Sequence, residues 1–486
     1  MSIQTPNWVK NAVFYQIFPD RFAKAQPPKG AKLAFQDVEF EPWHDPPTLQ
    51  GYKGGNLWGV IEKLDYLQEL GITALYLNPI FQSASNHRYH THDYYQVDPI
   101  LGGNEALDAL LQAAHQRNLK VVLDGVFNHA SRGFFYFNDI LENGPYSPWL
   151  DWFKVLDWPV SAYNGDLPAN YVGWVGNRAL PEFNHENPDA REYIMRVGEY
   201  WIQQGIDGWR LDVPYEIEIL GFWEEFRERV KRINPEAYIV GEVWDDAQRW
   251  LDGTQFDGVM NYVFTGPTIA FTARDRVDRS LVEQPDYTPY PAQDAQEYGQ
   301  HIETLLEMYP WEIQLTQFNL LASHDTARLL SIAQRDRASV KLATMLLLTF
   351  PGAPCIYYGD EVGLPGELDP DSRRTFPPQE EWDEELLQWH RDLIRLRHNY
   401  PVLRTGDYTI LYAEGLVYVF VRTLAASEVI VGINSGIEEM TVNVPTEKLQ
   451  TQPRRLLYGE ANLQWDSNQN LLSLQLRSRQ GCIIGN

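Results

Sequence analysis

Eight short apolar runs, separated by segments with helical periodicity, constrain the fold of this chain more than any other feature. The runs are VFYQIF (13–18), ALYLNPI (74–80), KVVLDGVF (120–127), GWRLDV (208–213), YIVGEVW (238–244), FDGVMNYVF (256–264), IQLTQFNLLAS (313–323) and CIYYGDE (355–361). They are hydrophobic almost without interruption, which is typical of parallel strands buried on both faces. Eight such strands alternating with helices predict an α/β fold of the (β/α)8 TIM barrel type.

The segment NPDAREYIMRVGEYWIQQG (187–205) shows how the helices between these strands are delimited. Asn187 can cap the helix, Pro188 fits the first turn, and Asp189 complements the helix dipole. Gly205 suits the position at which a helix ends. The pattern predicts a helix that leads into the fourth strand.

Two regions depart from this rhythm. Residues 130–184, after the third strand, contain Gly, Pro, Asn and aromatic residues without a regular period, which indicates a subdomain inserted on the loop face. Beyond about residue 400 the chain turns to short alternating runs, among them YTILYA, LVYVFVRT, EVIVGIN, MTVNVP and LLSLQLR. We expect a catalytic barrel over residues 1–400, with the inserted subdomain at about 130–184, and a C-terminal antiparallel β-sandwich domain over 401–486.

The charge balance and the cysteine count narrow the class of protein. With 66 acidic and 40 basic residues, the formal net charge is −26, which argues against nucleic acid or an anionic membrane as a partner. Cys355 and Cys482 have no metal-type spacing. The chain opens with no leader-like segment, and its apolar runs fall short of the roughly 20 residues that a membrane span needs. We expect a soluble, cytoplasmic protein.

Ionisable residues collect at the ends of the predicted strands, where barrel enzymes place their chemistry. The residues are Asp124, Arg210, Asp212, Glu242, His324, Asp325, Asp360 and Glu361. Each one alone has a structural explanation: Arg210 and Asp212 could form an ion pair that fills the barrel, and Asp124 could bond Arg210 beneath a site. Because burying unpartnered carboxylates is costly, the whole set indicates an active site.

Asp212 and Glu242 stand at the ends of the fourth and fifth strands. Adjacent parallel strands lie roughly 4.8 Å apart, so carboxylates at the same height would be about 5 Å apart, the separation used by retaining glycosidases. We expect Arg210 to lower the pKa of Asp212 and keep it ionised, as a nucleophile requires. Val243 and Trp244 predict apolar surroundings for Glu242, which suit a general acid/base.

Four motifs resemble the α-amylase family of glycoside hydrolases: DGVFNH (124–129), GWRLDV (208–213), GEVW (241–244) and FNLLASHD (318–325). Two further patterns of that family are GAPCIYYGDE (352–361) and GGNLWGVIEKLDYL (54–67). The resemblance implies that Asp212 is the nucleophile, Glu242 the acid/base, and Asp325 a third carboxylate that holds sugar hydroxyls. It also implies substrate-binding positions at Tyr89, His129, Arg210, His324, Asp369 and Arg373.

Within the family, SNHRY (85–89) and DPDSR (369–373) are similar to the cyclomaltodextrinase, maltogenic amylase and neopullulanase group. This implies retaining hydrolysis of α-1,4 and also α-1,6 bonds in maltooligosaccharides, branched dextrins or cyclodextrins, with no cofactor. Members usually carry a β-domain before the barrel, whereas here the first predicted strand begins near residue 13. We therefore expect a more open cleft that accepts longer or branched glucans. The sequence does not decide whether the protein forms a dimer without that domain.

Two local departures qualify the resemblance. VPYE (213–216) replaces the group's VANE after the nucleophile, which bears on how the sugar beyond the scissile bond is held. AKAQPPKG (23–30) replaces a loop rich in Asn and Asp that usually binds calcium, so we expect that metal site to be lost. The inserted segment offers six aromatic candidates for the cleft wall, about half of which we expect in the core. They are Phe134, Phe135, Trp149, Trp152, Trp158 and Trp174.

Three other interpretations were weighed against this one. His90, His92, His129 and His324 with Asp325 could ligate a metal, as in barrel metallohydrolases, although His90 and His92 follow the second strand rather than the first. A non-catalytic binding protein on the same fold is disfavoured, because all three carboxylates are present. A glucanotransferase shares the same covalent intermediate, and the sequence does not separate transfer from hydrolysis.

Overall fold

The computed structural model describes residues 3–29, 38–283, 291–466 and 468–486. Its largest sheet consists of eight parallel strands, called barrel strands 1 to 8 in chain order. They are Phe14–Ile17, Ala74–Leu77, Lys120–Gly125, Gly208–Leu211, Tyr238–Gly241, Gly258–Val259, Phe318–Asn319 and Ala353–Tyr357. The order in the sheet is 6-5-4-3-2-1-8-7, and a parallel bridge between Met260 and Phe318 joins the two outer strands. The predicted (β/α)8 barrel is confirmed.

Helices surround the barrel between its strands. In the described residues the α-helices up to the last barrel strand are Asn7–Lys10, Pro19–Phe22, Leu57–Glu62, Leu64–Leu70, Gly103–Gln116, Phe135–Asn143, Pro188–Gln204, Phe222–Ile233, Tyr262–Thr272, Ala295–Met308, Trp311–Gln314, Leu329–Ile332 and Arg337–Thr349. Glu384–Asn399 and Val402–Thr405 follow it. The helix Pro188–Gln204 begins and ends as predicted: the Asn187 side chain accepts hydrogen bonds from two backbone N–H groups, and Gly205 has φ of 105°.

Aromatic side chains fill the barrel below its carboxyl-terminal rim. Phe14 on barrel strand 1 contacts Tyr238 and Phe318, with ring centroids 5.8 Å and 5.0 Å away. Tyr76 on barrel strand 2 packs edge-on against Phe318. This packed interior forms a solid floor for the polar side chains at the strand ends.

A hairpin that was not predicted follows barrel strand 2. It pairs Phe81–Ser83 with Thr91–Val97 in antiparallel register, with two irregularities. The short strand Phe81–Ser83 is interrupted by these irregularities, so it shows no alternating pattern to read. The loop between the two strands carries SNHRY and places it over the barrel.

The inserted segment folds around its own aromatic core. Beyond the helix Phe135–Asn143 it consists of 3₁₀ turns and isolated bridges, one of which joins His129 to Glu182 beside barrel strand 3. Of the six aromatic candidates, Phe134 and Trp152 are buried, Phe135 and Trp158 are exposed, and Trp149 and Trp174 are half-buried.

The C-terminal region is antiparallel β-structure. Its strands are Asp407–Glu414, Val417–Leu424, Ser427–Asn434, Met440–Pro445, Arg455–Gly459, Ala461–Asp466, Leu471–Leu476 and Gln480–Gly485, arranged in a five-stranded and a three-stranded sheet. A second hydrophobic cluster, with Val419, Val442 and Leu474 among its members, contains residues of both sheets. The predicted alternating runs are all strands. Arg455–Gly459, Ala461–Asp466 and Gln480–Gly485 were not predicted.

Two buried arginines join the barrel to the C-terminal sheet through backbone carbonyls. Arg397 and Arg422 are both fully buried. Arg397 donates to the carbonyls of Leu348, Phe350, Gly352 and Leu403. Arg422 donates to those of Thr349, Leu403, Gly406 and Asp407. The Leu403 carbonyl therefore accepts from both guanidinium groups.

No helix in the described residues combines the length and the apolar character that crossing a bilayer requires. Of the segment 23–30, in which a calcium loop was expected to be lost, Gly30 lies outside the described residues.

Candidate active site

The pairing of barrel strands 4 and 5 places two carboxylates side by side. Leu211 is the register partner of Gly241, and Asp212 and Glu242 directly follow these two residues at the strand ends. The backbone continues the ladder here, because the Glu242 N–H donates to the Leu211 carbonyl at 2.9 Å. Asp212 and Glu242 thus stand at the same height on adjacent strands, as the sequence predicted.

A single guanidinium holds both carboxylates. Arg210 Nη1 lies 2.9 Å from Asp212 Oδ1, and Nη2 lies 3.0 Å from Glu242 Oε2. Nη1 also lies 3.0 Å from Asp124 Oδ1, and Asp124 accepts further hydrogen bonds from Tyr76 and Tyr89. Because both nitrogens belong to one planar group, the two strand-end carboxyl groups are kept adjacent.

Arg210 lowers the pKa of the Asp212 carboxyl, as predicted, but the net shift is upward. Burial raises the pKa of the Asp212 carboxyl well above its usual range; Arg210 opposes this, while Glu242 and Asp124 add to it. The main physical reason is removal of the carboxyl group from water; in addition, three carboxylates share one buried cation, which leaves excess negative charge. The cluster therefore favours retention of a proton, and acid/base catalysis needs one protonated and one ionised carboxyl group.

The surroundings of Glu242 also differ from the prediction. Trp244, which was expected to make them apolar, donates its indole N–H to Glu242 Oε1 at 3.0 Å. The backbone N–H of Val213 donates to Oε2 at 3.1 Å. The carboxyl group is therefore held by two directed hydrogen bonds, one from Trp244 and one from the adjacent strand end at Val213.

Asp325 lies across the barrel from this pair, beside His324 and Arg373. Its carboxylate is 2.9 Å from His324 Nε2 and 3.4 Å from Arg373 Nη2. Burial alone would raise the pKa of this carboxyl, but His324, Arg373 and Arg210 hold it below its usual range. Asp325 is therefore ionised.

These side chains surround one cleft of about 690 Å³. Seven predicted residues line it: Tyr89, His129, Asp212, Glu242, Asp325, Asp369 and Arg373. Arg210 and His324 do not line it; they are 1% and 0% exposed and lie beneath the carboxylates. Of the inserted aromatics Trp174 alone, within the described residues, is among the lining side chains. Asp369 and Arg373 form an ion pair at 3.1 Å.

His129 meets the inserted segment inside the cleft. Its ring stacks on Trp174, with centroids 5.2 Å apart and 19° between the planes. Burial lowers the pKa of His129 to about 3, so the imidazole is neutral. Within the described ranges, no group of three or more His, Cys, Asp or Glu side chains has an arrangement that would hold a metal ion.

Other lining residues were not singled out from the sequence. They are His87, Asn177, Leu180, Leu281, Thr326 and Leu368. His87 lies inside SNHRY and Thr326 follows Asp325 directly, so proximity to a motif could have indicated both. Leu368 directly precedes the DPDSR motif and could have been indicated in the same way, whereas Leu281 is distant from the motifs in sequence and reaches the cleft only in the folded chain.

Comparison with known proteins agrees with this geometry. Residues 16–405 match the alpha amylase catalytic domain model, and residues 406–484 match the alpha-amylase C-terminal domain model. A cyclomaltodextrinase from Geobacillus thermopakistaniensis is 39% identical over 94% of this chain and 74% of its own length. Neopullulanase 2 from Thermoactinomyces vulgaris is 40% identical over 99% of this chain and 79% of its own.

Solved structures extend the likeness over the whole chain. A debranching enzyme from Nostoc punctiforme is 65% identical, covers all of both chains and superposes with a TM-score of 0.94. A cyclic α-maltosyl-(1→6)-maltose hydrolase from Arthrobacter globiformis is 35% identical, covers 99% of this chain and all of its own, and has a TM-score of 0.86. The barrel, the strand-end carboxylates and these matches together establish that the chain is an enzyme of the α-amylase family of glycoside hydrolases.

Proposed function

We propose that this chain is a retaining α-glucan hydrolase that cleaves α-1,4 and α-1,6 glucosidic bonds through a covalent glycosyl-enzyme intermediate. The observation that carries the proposal is the placement of Asp212 and Glu242 at equal height on adjacent strands, both bound by Arg210. A close pair of carboxyl groups leaves no room for water between nucleophile and sugar, as retention requires.

In the first step Glu242 gives its proton to the glycosidic oxygen while an Asp212 oxygen forms a bond to the anomeric carbon. The bond between that carbon and the glycosidic oxygen breaks, and the leaving glucan departs as an alcohol. In the second step water loses a proton to Glu242 and attacks the same carbon, which releases Asp212 as a carboxylate. Asp325, ionised and held by Arg373, accepts hydrogen bonds from sugar hydroxyls in both steps.

The substrate class follows from the relatives. Two of them are named for cyclomaltodextrin and pullulan, one is called a debranching enzyme, and one hydrolyses a cyclic sugar with 1→6 bonds. We extend this to maltooligosaccharides, branched dextrins and cyclodextrins. The roles of Tyr89, His129 and Asp369 as sugar contacts rest on their place in the cleft. An intracellular location rests on the Bacillus subtilis intracellular maltogenic amylase, 35% identical over 90% of this chain.

The test is product analysis over a substrate panel. Maltooligosaccharides of increasing length, cyclodextrins, pullulan and a branched dextrin are incubated with the enzyme and with Asp212→Ala, and products are separated by chromatography. NMR records the anomer that forms first. We expect α-anomers and loss of activity in the variant. Initial β-anomers, or undiminished activity of Asp212→Ala, would refute the mechanism; products longer than the substrate would identify a glucanotransferase.

A further inference from the structure

The two oxygens of the Glu242 carboxyl group have different surroundings. Oε2 accepts the Val213 backbone N–H at 3.1 Å and lies 3.0 Å from Arg210 Nη2. Oε1 accepts the indole N–H of Trp244 at 3.0 Å. An oxygen that accepts a backbone N–H and lies beside a positively charged guanidinium is stabilised in its unprotonated form and is the poorer place for a hydroxyl proton. The transferable proton therefore belongs on Oε1, the oxygen that Trp244 orients.

Trp244 is itself held in place on its other side. Its ring lies flat on that of Tyr262, with centroids 3.7 Å apart and 3° between the planes. Tyr262 is buried, and its hydroxyl pairs with Ser323 Oγ at 3.0 Å. Ser323 Oγ also accepts the backbone N–H of Asp325 at 3.2 Å. A continuous set of contacts thus runs from Glu242 on barrel strand 5 to the Asp325 loop after barrel strand 7.

We propose that Trp244 is a positioning residue for the acid/base: its indole N–H fixes Glu242 Oε1 toward the glycosidic oxygen, and the stack on Tyr262 fixes Trp244. The inference rests on the proposed function, because it requires Glu242 to transfer the proton. It assigns to Trp244 a task separate from contact with sugar, although Trp244 also lines the cleft.

The matched pair of variants is Trp244→Phe and Trp389→Phe. Phenylalanine at 244 keeps a ring on Tyr262 and removes the N–H donor. Trp389 is a fair control, because its indole N–H donates to the Lys341 carbonyl at 3.0 Å and its ring packs on Tyr458, but it is not among the residues that line the cleft. Melting temperatures of both variants show how much stability is lost when a Trp indole hydrogen bond is removed.

The readout is the dependence of kcat/KM on the leaving group. Aryl α-maltosides of phenols with increasing pKa are compared with α-maltosyl fluoride, from which the fluoride ion leaves with little help from an acid. We expect Trp244→Phe to lower kcat/KM about 10- to 100-fold for the poorest leaving groups, as misplacement of a general acid does, and by less than about threefold for the fluoride. Trp389→Phe should leave both values close to wild type.

Glu242→Gln separates this inference from the function on which it rests. If Glu242→Gln shows no dependence on the leaving group, the proposed acid/base role is wrong and the inference falls with it. The positioning role alone is overturned if Glu242→Gln shows the dependence on the leaving group but Trp244→Phe does not. In that case the kcat/KM of Trp244→Phe is lowered equally for every substrate, or is unchanged. Tyr262→Phe, which keeps the stack and removes the bond to Ser323, should give a smaller loss with the same dependence on the leaving group.

Discussion

Leu211 and Gly241 are direct register partners in the parallel pairing of barrel strands 4 and 5, and their successors are the two carboxylates of the site. The separation of these carboxylates is therefore set by the spacing between hydrogen-bonded strands, not by a loop. Sites built on strands hold their geometry more closely than sites built on loops.

The roles of Asp212 and Glu242 are separable by azide rescue. In Asp212→Gly azide can attack the anomeric carbon directly from the vacated side, so we expect a β-glycosyl azide. In Glu242→Gly azide can attack the covalent intermediate without needing a base, so we expect an α-glycosyl azide. NMR of the products from α-maltosyl fluoride distinguishes the anomers. The reverse assignment of anomers would exchange the two roles.

Removing the cation shared by three carboxylates should be costly. We expect Arg210→Met to lower the free energy of unfolding by about 3–5 kcal/mol, because it leaves buried charges uncompensated, and to reduce kcat at least about 100-fold. Urea unfolding and activity assays measure the two effects. Adding Asp124→Asn to Arg210→Met should recover part of the stability, since one uncompensated charge is gone. Strictly additive losses would show that Asp124 and Arg210 are not coupled.

The contribution of Glu361 to stability should fall as pH rises toward neutrality. This buried carboxyl accepts hydrogen bonds from Tyr15 and Tyr66, and burial raises its pKa to about 7 from an ordinary value of 4.5. The folded state therefore binds the proton more tightly than the unfolded state. The corresponding stabilisation, about 3 kcal/mol, is complete below about pH 4.5 and is lost as pH rises through 7.

Unfolding free energies of wild type and Glu361→Gln, measured from pH 5 to 8, test this. The difference between the two curves isolates Glu361, because every other titrating group is common to both proteins. The buried histidines His129, His185 and His390, whose pKa values burial lowers, act with the opposite sign, and Asp360, whose pKa burial raises to about 6 against the effect of Arg328, acts with the same sign. A difference that does not change with pH would contradict the prediction.

Trp174 should contribute to substrate binding from the inserted segment. Because it lines the cleft on top of His129, we expect Trp174→Ala to lower kcat/KM for maltooligosaccharides about 10-fold, equivalent to ~1.4 kcal/mol. Trp158→Ala is the control, since Trp158 belongs to the same segment, is exposed and is not one of the lining residues. Steady-state kinetics of both variants measure this effect. Equal losses of kcat/KM in the two variants would contradict a specific contact between Trp174 and the substrate.

Much of this architecture was legible in the sequence because buried parallel strands are continuous apolar runs. Barrel strands 4 and 5 were recognised in this way, and strand spacing then brought Asp212 beside Glu242. The C-terminal strand Ala461–Asp466 was missed, because it is at most half-buried and carries no continuous apolar run. The strand Gln480–Gly485 is short and contains glycine at both ends of its apolar core, which reads as a turn.

The electrostatics of the site were the least predictable part. Whether Asp212 gains or loses a proton depends on how many carboxylates share Arg210 and how deeply all of them are buried, and only the folded arrangement supplies both. Trp244 was read as apolar because its hydrophobic ring dominates its average behaviour, yet its N–H is a directed donor. Sequence neighbours identify which side chains meet, but not which of their atoms do.

The arginine junction between the barrel and the C-terminal sheet has a consequence for how this enzyme can be recombined. Arg397 comes from the last long helix of the barrel and Arg422 from the C-terminal sheet, and both bind the Leu403 carbonyl. Removing the C-terminal sheet would leave the Thr349 and Gly406 carbonyls without the guanidinium they bind. A chimera of this barrel with a foreign C-terminal domain should therefore keep an arginine at the position of Arg422, together with the linker around Leu403.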